Sequence, residues 1–119
     1  MKLNIAVVTL WADNFEETVK FYKKILGVND VHHMAEGVIH FKIDDIFFTV
    51  MKGKPAKATN SIIPRFPIIA FSVDDIQKSS DMLIENKVAL PWGIEENANA
   101  KWIMFNDPVG NLIEFVQFL

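Results

Sequence analysis

The chain is 119 residues long, one domain's worth, which excludes a multidomain enzyme with separate cofactor and substrate domains. Twelve Lys and Arg stand against 15 Asp and Glu, for a formal charge of −3. One Arg and scattered lysines exclude a nucleic-acid partner, and the absence of Cys excludes disulfides, thiolate metal sites and a Cys nucleophile together.

Half of the residues are hydrophobic, enough for a core without staples at this length. Ten Phe and three Trp are many for so small a protein, and they need an explanation. Met1-Lys2 and the apolar stretch after Asn4 imitate a signal peptide. Asn4 and the lack of a small-x-small cleavage site make it read as structure instead. No run reaches the ~18 apolar residues of a membrane span, so the sequence reads as that of a cytoplasmic protein with no membrane partner.

Residues 4–12 (NIAVVTLWA) are apolar and β-branched, a buried strand by pattern. Asn14 stands three residues before Glu17 as a helix N-cap with an acidic first turn. Phe15, Val19, Tyr22 and Leu26 then fall on one helical face, and Gly27 ends the helix. Strands follow over residues 30–34, 37–43 and 46–51, with turns at Glu36-Gly37 and Asp44-Asp45. Residues 53–67, with three Pro, read as a linker.

The pattern then returns. Residues 68–73 form a strand, Asp74-Asp75 opens a helix to about Asn86, and residues 88–90, 101–106 and 112–118 are strands. Residues 95–100 (EENANA) read as a polar hairpin loop. The halves agree at an offset of 61 residues, which lays Val7 on Ile68, Asn14 on Asp75, Phe15 on Ile76 and Thr18 on Ser79. The organisation is one domain, 1–119, with a βαβββ module at 1–52, the linker, and a second module at 68–119.

Three stretches resemble the vicinal oxygen chelate superfamily, the glyoxalase, bleomycin-resistance and extradiol-dioxygenase group. They are Phe21-Tyr22 with Leu26-Gly27, the segment Ala70-Phe71-Ser72-Val73-Asp74-Asp75, and Asp107-Pro108-Val109-Gly110-Asn111-Leu112-Ile113-Glu114-Phe115. The resemblance implies an α+β fold of two βαβββ modules whose strands form a curved, half-open mixed sheet around a cavity. It also implies a homodimer. In metal-using members, side chains near the start of each module's first strand, usually His, join a carboxylate on a last strand. Seven positions before each helix cap, this chain has Val7 and Ile68. Neither has a lone pair to offer. Only Glu114 keeps ligand chemistry, its counterpart in the first module falls near Thr49, and no His lies in residues 4–14 or 64–75.

Adjacent His32 and His33 point to opposite faces of a strand and cannot chelate one ion together, whereas His40 lies mid-strand. Glu114 facing an apolar cavity would serve as a general base or as the anchor of a cationic ligand. Period-two alternation puts Val7, Thr9 and Trp11 on one face, and likewise Phe47, Thr49 and Met51, Ile68, Ala70 and Ser72, and Trp102 with Met104. By resemblance these faces line the cavity, with Trp92 at a rim or dimer contact. Asp44-Asp45 and Glu95-Glu96 read as solvated turns.

The reading is a metal-independent, cofactor-free protein that binds and sequesters a small molecule, rather than an enzyme. Two alternatives stay open. One is a metal-dependent lyase, isomerase or dioxygenase using Glu114 with His40 or a partner's ligand. The other is a structural relative with a filled core and no ligand.

Overall fold

The computed structural model describes residues 5–54 and 68–119, so most of the linker assigned to residues 53–67 lies outside the described residues. The chain divides into two compact units, Met1–Asn60 and Ser61–Leu119. The first holds β1 (Val7–Ala12), α1 (Phe15–Leu26), β2 (Val31–Ala35), β3 (Val38–Ile43) and β4 (Ile46–Lys52). The second holds β5 (Ile69–Ser72), α2 (Ile76–Glu85), β6 (Ile94–Glu96), β7 (Ala100–Asn106) and β8 (Leu112–Phe118).

The fold is α+β, with two four-stranded mixed sheets of the same topology. Their orders are β1-β4-β3-β2 and β5-β8-β7-β6. In each, the first strand runs parallel to the fourth and the other pairs are antiparallel. A parallel pair needs a crossover, which explains why each helix follows its unit's first strand. The repeat read from the sequence is therefore a repeat of topology.

The helix ends show how the two copies differ. Asp75 caps α2, its Oδ1 accepting the Lys78 N–H at 3.1 Å. Asn14 holds the cap position of α1 without capping it, because its Nδ2 donates to the Glu17 carboxylate instead. Gly27 closes α1 in the left-handed region at φ 60°. At the end of α2 the same conformation falls on Lys87, at φ 63°. There the Val88 N–H donates to the Leu83 carbonyl and the Lys87 N–H to the Ile84 carbonyl, both at 2.9 Å, a Schellman ending.

That ending corrects one expectation. Residues 88–90 are not a strand, because the Val88 N–H is spent on the helix end and Pro91 stops the apolar run. The strand lies later, at Ile94–Glu96, inside the stretch read as loop. The loop shrinks to residues 97–99, where Asn97 Oδ1 accepts the backbone N–H of Asn99 at 2.8 Å and of Ala100 at 2.9 Å.

Each helix packs its apolar stripe on one face of its own sheet. From α1, Thr18, Val19, Tyr22 and Ile25 are buried. The Tyr22 ring meets Phe48 edge-on at 4.8 Å and Phe41 at 6.5 Å. From α2, Ile76, Ser80 and Leu83 are buried, and the Ile76 N–H donates to Gln117 Oε1 at 2.8 Å. Beneath α2 the Phe115 ring lies edge-on to Phe105 at 5.0 Å and to Phe71 at 6.2 Å. Such pairs contribute about 0.5–1.5 kcal/mol each beyond their burial. Much of the aromatic excess thus goes into two helix–sheet cores. No helix among the described residues is long and apolar enough to cross a membrane.

Candidate functional site

A strand shows alternate residues to opposite faces, so each sheet has a helix face and a far face. On the first sheet the far face carries three cross-strand pairs: Val7 with Phe47, Thr9 with Thr49, and Trp11 with Met51. These are the six residues the alternation grouped, and the structure brings them together. Across β3, Val38 pairs Met51, His40 pairs Thr49 and Lys42 pairs Phe47, while His32 of β2 pairs His40.

Phe47 is the centre of this group. The His40 ring lies 5.1 Å from it, the His32 ring 6.2 Å, and the Lys42 Nζ stands 5.0 Å over its centroid. His32 Nε2 is held by the Asp30 carboxylate. Val7 and Trp11 are exposed, Phe47 and Met51 half-buried, and Thr49 only 2 % exposed. The Thr49 hydroxyl is shut off from solvent and finds no hydrogen-bond partner among the described residues. Sequence reasoning missed the joining of His32 to His40, because it depends on the β2–β3 register rather than on spacing.

On the second sheet the far face is organised around Glu114. Ala70 of β5 and Met104 of β7 are its direct cross-strand neighbours. One pair further along, Val116 lies between Ser72 and Trp102, and Trp102 in turn pairs Glu95 of β6. Glu114 is half-buried, and no Lys or Arg among the described residues pairs with it. Glu95 is not in a solvated turn as expected. It is half-buried between exposed Ile94 and Glu96. Ile68 precedes β5 and is exposed, and Trp92 sits exposed in the turn before β6.

The turn that launches β8 fixes where Glu114 falls. Asp107 is buried; its Oδ1 accepts the N–H of Val109 at 3.1 Å and of Asn111 at 2.8 Å, and its Oδ2 accepts Asn111 Nδ2 at 2.7 Å. Gly110, at φ 90°, supplies the left-handed corner.

The register also identifies the counterpart of Glu114. Thr9 and Ala70 are 61 positions apart, and they pair with Thr49 and Glu114 respectively. Thr49 is therefore the equivalent of Glu114, as expected. A zinc-type site takes at least three protein donors. Among the described residues no three His, Asp or Glu stand together as ion ligands. The flanks of Glu114 are Ala70 and Met104, so within the second sheet an ion at Glu114 would find one carboxylate, short of the donors a zinc-type site takes.

A family model described as "Glyoxalase/Bleomycin resistance protein/Dioxygenase superfamily" matches residues 4–115. Solved structures match over nearly the whole chain. A lactoylglutathione lyase from Agrobacterium tumefaciens is 18% identical, with TM-score 0.74, covering 96% of this chain and 92% of that one. A virulence protein from Salmonella typhimurium is 18% identical, with TM-score 0.75, covering 100% and 99%. A glyoxalase/bleomycin resistance protein/dioxygenase from Alicyclobacillus acidocaldarius is 14% identical, with TM-score 0.72, covering 98% and 92%. At these identities the likeness is one of fold. No curated protein matches the sequence significantly.

Proposed function

The chain belongs to the glyoxalase / bleomycin resistance protein / dioxygenase superfamily, and within it we propose a metal-independent protein that binds and sequesters a small aromatic cation, acting as a cytoplasmic homodimer. The observation that carries this reading is the setting of Glu114. A half-buried carboxylate with an aliphatic neighbour on one side, a thioether on the other and no cationic partner among the described residues has its charge unspent. Trp102, on the same face one pair further along, offers an aromatic ring to a planar cation. A few polar groups set among apolar and aromatic side chains make the usual lining of a small-molecule site.

The test is a titration of chelator-treated protein with proflavine, a planar aromatic cation, followed by Trp quenching. Saturable quenching is expected without added metal. Glu114→Gln, which keeps shape and removes charge, should weaken it about ten- to a hundredfold. Quenching that requires a divalent ion, or that is indifferent to Glu114→Gln, refutes the reading.

A further inference from the structure

The far faces of the two sheets carry different polar groups. Where the second sheet presents Glu114 and Glu95, the first presents Lys42, His40 and His32 around Phe47. From this arrangement we infer that the far face of the first sheet is a binding site for an aromatic oxyanion, a carboxylate or phosphate carried on a planar ring. The site stands on first-sheet residues alone and goes beyond the reading of Glu114.

Two independent observations support it. The first is the cluster itself. Lys42 stands over the Phe47 ring, with His40 on the neighbouring pair and His32 across from His40. Lys42 supplies the charge, His40 supplies one N–H donor even when neutral, and Phe47 supplies the stacking surface. Asp30 holds the Nε2 side of His32 and so orients that ring. The second observation is the Thr49 hydroxyl. It is buried, it lacks a partner among the described residues, and it belongs to the residue directly across from His40 on the same face. A hydroxyl kept from water with its donor unspent is provided for when a ligand oxygen arrives beside it. The chain's formal charge of −3 opposes anions in general, so a preference for one has to arise locally.

The experiment uses the full chain and three naphthalene probes of one size: 1-naphthoate, 1-naphthyl phosphate and neutral 1-naphthamide, titrated by calorimetry. At least one anion should bind about tenfold or more tightly than the amide. Lys42→Gln should erase that advantage, and His40→Asn and Thr49→Val should each reduce it several-fold. Phe47→Leu should weaken all three probes alike. Lys78→Gln, the same charge change on exposed α2, should leave all three unchanged and so separates a local from a global charge effect. Equal affinity for anions and amide overturns the inference, as does no binding of any probe or an anion preference that survives Lys42→Gln. Zinc bound by the protein alone and lost in His40→Asn, with naphthoate indifferent to Lys42, overturns it too, since the imidazoles would then be a metal pair.

Discussion

Thr49→Val should stabilise the protein while weakening anion binding, and the size of the first effect follows from its surroundings. The side chain is 2 % exposed and its hydroxyl has no partner among the described residues. A buried hydroxyl without a hydrogen bond costs about 1–3 kcal/mol relative to water. Valine keeps the branched shape suited to β4 and puts a methyl where the oxygen was, adding about 0.8 kcal/mol of apolar burial. The net gain should be roughly 2–4 kcal/mol, at about 3–5 °C in Tm per kcal/mol for this chain length. Urea unfolding followed by circular dichroism is the assay, with a higher midpoint at unchanged slope. Thr18→Val is the internal control. Its hydroxyl is likewise buried without a partner among the described residues, but it lies on α1 against the helix–sheet core. Thr18→Val should stabilise similarly and leave naphthoate affinity untouched. If Thr49→Val is neutral or destabilising, the hydroxyl has a partner in solution and its part in the proposed site falls. A residue that costs stability and is repaid on binding is what a functional position would show.

Two further outcomes test the architecture. Lys87→Gly should raise stability by about 0.5–1 kcal/mol in urea unfolding, because Lys87 holds the left-handed position at the end of α2 that Gly27 holds for α1. Asp107→Ala should cost about 3 kcal/mol, since a buried carboxylate accepting three hydrogen bonds organises the turn into β8. Amide exchange across β8 should accelerate in that variant, and unchanged protection there would show that the turn does not hold the strand.

Patterns with a strong local cause were legible in the sequence. Period-two alternation grouped Val7, Thr9 and Trp11 of β1 and Phe47, Thr49 and Met51 of β4, and the register sets these two groups opposite one another. Asp107, Pro108 and Gly110 announce a turn from their own backbone chemistry, and a turn with those hydrogen bonds is found. The failures lie where a competing partner decided the outcome. Val88-Ala89-Leu90 has strand composition, yet the donor of Val88 goes to a helix end that no glycine advertises. Asn14 has capping chemistry, yet Glu17 takes its side chain. Glu95 reads as loop because its neighbours are polar, although its burial comes from pairing with Trp102.

The charged groups of the far faces were the least legible, for a reason rooted in sheet geometry. Residues that meet across strands are separated in sequence by whatever the turns require, so no motif announces that His32, His40 and Lys42 surround Phe47. Alternation tells which side a residue takes, but register tells whom it meets. The duplication sharpens this. Two sheets of one topology place Thr49 and Glu114 at equivalent positions, with His40 facing the one and Met104 the other. One scaffold position thus carries a hydroxyl beside an imidazole in the first sheet and a carboxylate beside a thioether in the second. The two sheets share the backbone ladder, which topology demands, while their far faces carry different side chains at equivalent positions.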